Sequence, residues 1–335
     1  MNPGNKQLKS FLQSKFNKIV TLQDIRNLKH KVKSRGGLTD SEELYEVVKD
    51  MEGKGKIEVL IDDDGVIQMI SFATKEMLSL YGQFPELILM DGTYKVNKYN
   101  YPLYIILIQD NLGRGRAVFY AFVRSETGDM MRAILSSFKN MCQDTSKTCT
   151  VMLDKDQNEI DAIRNALPAA SVLLCHFHVL KYFKKKVSEL LLPVDEKNEL
   201  FAQLKALVYA KDAEAFDSMM TKLAEMNEEL HQYISKNWQN CKQMWVAYLR
   251  QGTITFGNDT NNRIESENSK LKHLMCASSS MSECIRQLCF HNAILDDERQ
   301  YQQFLSKYTT VQYGNKDEDL SPLYSQFTEH AVKKC

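Results

Sequence analysis

One alternation constrains this chain above all: between residues 86 and 190 the sequence reads strand, strand, strand, helix, strand, helix, strand, helix. ELILMDGTYKV (86–96) is apolar up to Asp91, YPLYIILIQD (101–110) is apolar almost throughout, and the turn NLGRG leads into RAVFYAFV (116–123). TGDMMRAILSSFKNMC (127–142) then carries Met131, Ile134, Leu135 and Phe138 at helical spacing. TCTVMLDKD (148–156) is a buried strand ending in acids, QNEIDAIRNAL (157–167) a helix stopped at Pro168, and SVLLCHF (171–177) a short strand running into the basic helix HVLKYFKKKVSEL. Three hairpin-linked strands followed by alternating helix and strand predict an α/β fold, a mixed five-stranded sheet flanked by helices.

The flanks differ in character. Residues 5–34 read as one or two basic helices, with Thr21 as a candidate N-cap and Asp24 three residues later. KIEVLID and VIQMISFA, separated by Asp63-Asp64-Gly65, form a hairpin pattern. Residues 188–255 show no strand signal and are rich in Leu, Lys, Glu and Ala, which predicts an all-helical insertion. A new helix opens near Thr260, a longer one follows, and the polar tail after Tyr313 is expected to be loose. The expected organisation is an N-terminal α+β extension (1–82), the first part of the core (83–187), the helical insertion (188–255), the closing helices of the core (256–312) and the tail (313–335).

Composition narrows the classes. Of 335 residues, 43% are hydrophobic, enough for a sizeable core and too many for global disorder. No apolar run reaches the length of a membrane span, and the N-terminus has no signal-peptide core. The net charge is zero, but residues 1–38 hold nine Lys/Arg against Asp24 alone, while residues 39–64 hold ten acids against three lysines. Such an arm can bind nucleic acid or dock on the acidic stretch. Eight dispersed cysteines with no CxxC pair read as free thiols in a reducing compartment, cytosol or nucleus.

Three acids stand where chemistry is usually placed. Asp91 lies within the first core strand, Asp154 at the C-terminal end of the fourth, and Glu265 in the first turns of the helix after the insertion. If the first and fourth strands are neighbours, their acids sit side by side and the helix carboxylate closes the site. Clustered carboxylates raise one another's pKa unless a divalent cation neutralises them, and hard oxygen ligands select Mg²⁺ or Mn²⁺. The bland alternative keeps Asp91 and Asp154 as turn residues and Glu265 as a helix-dipole complement. Glu267 competes with Glu265, but positions two apart point to different helix faces, so at most one faces the sheet.

DGTYKVNKYNYPLY (91–104), VMLDKDQNEIDAIRNALPAASVLLCHFHVLKYFKK (151–185) and NDTNNRIESENSKLK (258–272) resemble the motifs of Mutator-like (MULE) transposases: an Asp-x-Thr-Tyr strand, a second-aspartate strand followed by Cys-x-x-His, and an Asn-x-x-Glu-Ser segment. TLQDIRNLKHK (21–31) and FATKEMLSLYGQFPEL (72–87) extend the resemblance, which covers roughly residues 15–300 and points within the family to the transposase-derived animal zinc-finger SWIM-domain proteins. It implies an RNase H-like core of the DDE type interrupted by a helical insertion, with Asp91, Asp154 and Glu265 as catalytic, metal-binding acids and Mg²⁺ or Mn²⁺ as cofactor if the chain is catalytic. Cys175 and His178 match the Cys-x-x-His. They supply two ligands where structural zinc needs four, so zinc is not expected there; His178 is expected beside the carboxylates and Cys175 in the core.

Lys181, Lys184, Lys185 and Lys186 on the following helix, with Arg263, are candidate phosphate contacts, although a solvated helix surface accounts for the lysines nearly as well. Tyr94, Tyr99 and Tyr101 can stack on unpaired bases or pack on the sheet. The family's N-terminal zinc module and its CxC…CxH finger have no counterpart, since no CxC occurs and Cys335 stands alone. Either both are lost or the sequence is part of a longer product, and recognition of transposon ends is not expected. The sequence therefore carries two readings: a nuclear protein domesticated for DNA binding or chromatin-related interaction, favoured for the cellular role, and an active metal-dependent DNA nicking or strand-transfer enzyme. DNA is the expected partner, a homo-oligomer is possible and a membrane is not expected.

Overall fold

The computed structural model describes residues 40–94, 96–260 and 262–308. The basic helices expected at 5–34, the tail after Tyr313 and Cys335 lie outside the described residues. A hairpin opens the sheet: α1 (Asp40–Glu52) leads into β1 (Gly55–Ile61) and β2 (Ile67–Thr74). Gly65 adopts φ +76° in the turn, and Asp62 Oδ1 accepts the backbone N–H groups of Asp64 and Val66 at 3.1 and 2.8 Å. After α2 (Lys75–Gln83) come β3 (Leu87–Thr93), β4 (Leu103–Gln109) and β5 (Gly115–Val123). Then α3 (Gly128–Met141), β6 (Thr150–Leu153), α4 (Gln157–Ala166), β7 (Ser171–Leu174) and α5 (His176–Glu189) alternate in the expected order.

The sheet has seven strands rather than five, ordered β1-β2-β5-β4-β3-β6-β7. The pairs β3–β6 and β6–β7 are parallel and the rest antiparallel. The hairpin, expected in a separate extension, joins the core sheet because β2 pairs antiparallel with β5. Its residues Ile70, Ser71, Phe72 and Ala73 are essentially inaccessible. An isolated two-stranded ribbon cannot bury both faces of a strand, so β2 needs β5 beside it and helices over it.

Segment 188–255 contains α6 (Val194–Val208), α7 (Ala213–Met226), α8 (Glu228–Asn237) and two 3₁₀ turns, Gln239–Met244 and Ala247–Arg250. It docks on α5 through aromatic packing: Phe183 lies 4.7 Å from Trp238 and 5.6 Å from Trp245, ring centre to ring centre. The chain returns to the sheet with α9 (Asn262–Leu274) and α10 (Met281–Tyr308). On α10, Ser282 donates to Glu43 on α1 at 2.7 Å and Asn292 to the Tyr120 hydroxyl of β5 at 2.8 Å. No helix among the described residues is long and apolar enough to cross a membrane.

Candidate functional site

Strand register brings the first two acids together. In the parallel pair β3–β6, Leu87 opposes Thr150, Ile88 opposes Val151 and Leu89 opposes Met152. Carried two residues further, the same register sets Asp91 level with Asp154, on one face of neighbouring strands that run about 4.8 Å apart. Beside Asp91, Gly92 lets the Tyr104 ring approach, since a Cβ there would sit 3.1 Å from Tyr104 Cζ. Asp154 follows the last residue of β6, and its Oδ1 accepts the Lys155 backbone N–H at 2.6 Å while Tyr182 donates to its Oδ2 at 3.3 Å. Asp156 caps α4 by accepting the Asn158 and Glu159 backbone N–H groups.

The third acid arrives on α9. Glu265 Oε1 lies 3.0 Å from His178 Nε2, and His178 Nδ1 lies 3.9 Å from Asp154 Oδ1. Three positions beyond Glu265, Asn268 Nδ2 donates to Asp91 Oδ2 at 2.7 Å. Glu267 points the other way, as helix geometry requires, and is buried against His291 at 2.7 Å and Lys270 at 3.4 Å. Asp91, Asp154 and Glu265 line one open cavity of about 730 Å³, together with His178 and Lys181.

The cavity is short of positive charge. Burial pushes the Asp91 carboxyl up from 3.8 to about 6, opposed by the His178 charge and helped by Glu265 and Asp154. Glu159, on α4 at the cavity wall, is pushed up to about 8 by burial, Asp156 and Asp91. Burial works against a charge on His178, but the Cys175 thiol and the carboxylates of Asp154 and Asp91 outweigh it and hold the imidazole at about 9. At neutral pH His178 is thus a cation between two of the acids. A carboxyl whose pKa rises on folding binds more protons in the native state, so stability falls as pH rises from about 4 through about 6. Asp91→Asn is therefore expected to raise the melting temperature at pH 7.5 by about 2–4 °C and to flatten its dependence on pH below 6. A thermal melt showing a lower value would make the Asp91 charge a net stabiliser.

The other expected residues divide. Cys175 is fully buried at the N-cap of α5. Among the described residues no three His, Cys, Asp or Glu side chains stand close enough together to hold a metal ion. Lys181 lines the cavity, but Lys184 and Lys185 lie exposed outside its lining. Lys186 turns to the insertion instead, 3.8 Å from Glu189, 3.6 Å from Glu229 and over the Tyr233 ring. Arg263 is likewise taken up by structure, donating to the Gly113 carbonyl at 3.0 Å and to Asn258, because its face of α9 meets the β4–β5 turn. Tyr94 lines the cavity, with its hydroxyl on Glu126 at 2.6 Å, whereas Tyr101 packs on the sheet and donates to the Ile67 carbonyl.

Sequence reasoning passed over Asn268, Glu159, Lys155 and Lys272, all at the cavity. A signal for two of them was present: Glu265, Asn268, Ser269 and Lys272 recur at i, i+3, i+4 and i+7, a polar stripe on one face of α9.

Comparison with known proteins agrees with this architecture. Residues 46–173 match the model of the RNaseH-like domain of zinc finger SWIM domain-containing protein 1/3. Over that segment the chain is similar to the RNase H-like domain of SWIM-domain proteins. It is 25% identical over 275 residues to uncharacterized protein ZSWIM9 of Homo sapiens, covering 80% of this chain and 43% of that protein. The Mus musculus ZSWIM9 protein is 24% identical over 242 residues, covering 71% and 54%. The chain thus spans about half the length of the curated relatives it matches. The matched segment runs from α1 to the start of β7 and contains Asp91 and Asp154, while Glu265 and Asn268 come from the part beyond it.

Proposed function

We propose that this is a transposase-derived protein whose acid cavity binds a divalent cation and acts on DNA phosphodiesters. The observation that carries this reading is the meeting of Asp91, Asp154 and Glu265, from β3, the end of β6 and α9, in one cavity. The donor set suits Mg²⁺ or Mn²⁺: the acids at the cavity offer hard carboxylate oxygens, and burial, with smaller contributions from Glu265 and Asp154, raises the Asp91 carboxyl to about 6. Among the described residues no three such side chains stand close enough together to hold an ion by themselves, so one or two of the carboxylates of Asp91, Asp154 and Glu265 would hold the metal, with water and DNA phosphate oxygens as its other ligands, and the bound metal would activate a water or 3′-hydroxyl and stabilise the leaving oxygen.

The chain's own groups do the rest. Lys155 N–H and Tyr182 hold the Asp154 carboxylate, and Asn268 holds that of Asp91. Lys155, Lys181 and Lys272 at the cavity offer charge to backbone phosphates. Lys181→Ala and Lys272→Ala are each expected to weaken DNA binding across sequences and to lower the slope of log K against log salt by about 1. Fluorescence anisotropy at several salt concentrations reads this, and unchanged slopes would remove these lysines from the interface. Titration of the full chain with Mn²⁺ tests the cation site itself.

His178 favours a second reading. It stands between Glu265 and Asp154, where a cation has to compete with it. A chain domesticated for DNA binding or chromatin-related interaction in the nucleus would keep this arrangement as an internal ion pair. Its DNA binding would then be indifferent to EDTA and to added Mn²⁺.

A further inference from the structure

The contact between Asn268 and Asp91 joins residues on α9 and β3 that are 177 positions apart in the chain. Asn268 is 7% exposed, so its amide cannot rotate freely into water. An ionised carboxylate only accepts, which fixes the amide with Nδ2 toward Asp91 Oδ2 and Oδ1 turned away. Oδ1 is buried and has no hydrogen-bond partner; the same holds for Thr93 Oγ1, two residues after Asp91 on the same strand. Both residues line the acid cavity.

Asn268 Oδ1 and Thr93 Oγ1 are thus oxygens at the cavity with which a hydrogen-bond donor entering it can pair. Glu265, one helical turn earlier, faces the same cavity, so a single face of α9 delivers one acid and fixes the direction of another.

We propose that Asn268 is a positioning residue of the acid site: through Nδ2 it sets the direction of the Asp91 carboxylate for a divalent cation, and its Oδ1 is left for a hydrogen-bond donor entering with that cation. This rests on the cation reading above. Asn268 acts through Asp91, as outer partners of metal ligands commonly do, with effects of about 10–100-fold on affinity.

The test is Mn²⁺ binding by the full chain, followed by calorimetry, with the melting temperature of each variant measured alongside. Asn268→Leu, close in shape but without the donor, is expected to bind Mn²⁺ about 10–100-fold more weakly while its melting temperature stays near that of the wild type. Asn268→Gln, which keeps the amide, is expected to recover more than half of that loss on a logarithmic scale. If the Leu variant melts more than about 5 °C lower, Asn268→Ala replaces it as the donor-free variant. Wild-type affinity in the donor-free variant, or a Gln variant as weak as it, overturns the assignment. If the wild type binds, Asp91→Asn does not and the donor-free variant binds like wild type, this inference alone fails. If the wild type takes up no Mn²⁺, the cation reading fails and the inference falls with it.

Discussion

Asp154→Ala is expected to abolish divalent-metal-dependent nicking of DNA by the full chain, by about 10³-fold or more, the scale on which loss of a charge partner of the transition state acts. Asp154 is level with Asp91 in the parallel register and is held on both carboxylate oxygens, by Lys155 N–H and by Tyr182. It is fixed before any ligand arrives, so its removal is not made good by a neighbour swinging in. The same substitution deletes a negative charge from a cavity already short of cations. DNA binding through Lys181 and Lys272 is therefore expected to persist or tighten. Supercoiled plasmid incubated with Mn²⁺ separates the two effects: relaxation lost with binding retained supports a metal-dependent centre. Equal relaxation by wild type and variant, or relaxation that survives EDTA, would remove Asp154 from the chemistry and leave the DNA-binding reading.

The second large effect concerns stability. His291→Leu is expected to destabilise the fold by about 3 kcal/mol or more, because it leaves the Glu267 carboxylate buried without its nearest partner. Glu267 is 2% exposed and His291 Nε2 approaches it at 2.7 Å; Lys270, at 3.4 Å, is itself 54% exposed and a weak substitute. Burial alone would raise the Glu267 pKa, but the hydrogen bond and charge of His291, with Lys270, hold it below the usual glutamate range. A depressed carboxyl pKa contributes stability above about pH 4.3 that is lost as the pH falls through the lower native value. The variant should lose that acid-side dependence along with the stability. Pairing it with Glu267→Met removes the stranded charge, and the double variant is expected to be more stable than His291→Leu alone. Urea unfolding of the four proteins reads the coupling, and additive losses would mean that the pair does not bind α9 to α10.

Much of the site was legible before any coordinates. The apolar run LILM before Asp91 and the run VML before Asp154 mark two strands that carry the acids, and helix geometry separated Glu265 from Glu267 by the angle between positions two apart. The resemblance to transposases pointed to the same three acids that the reading of strands and helix had singled out. What escaped notice depended on partners far along the chain. Nothing near Arg263 announces that Gly113 will take its guanidinium, and nothing near Lys186 announces Glu229 or Tyr233. Long cationic side chains reach whatever element packs beside them, so their role follows from packing and not from local pattern.

Local sequence determined the elements themselves. Hydrophobic periodicity, the Asp-Gly turn and the caps at Thr127, Asp156 and Asp212 are properties of a few adjacent residues, and they fixed strand, helix and the face each acid takes. Tertiary structure decided that the first hairpin extends the sheet along β5, that Asn268 meets Asp91, and that His178, expected beside the acids, stands between Asp154 and Glu265. Those outcomes depend on burial and on charge brought together from segments well separated along the chain, where the cost of an unpaired polar group selects the partner and no short-range pattern records it.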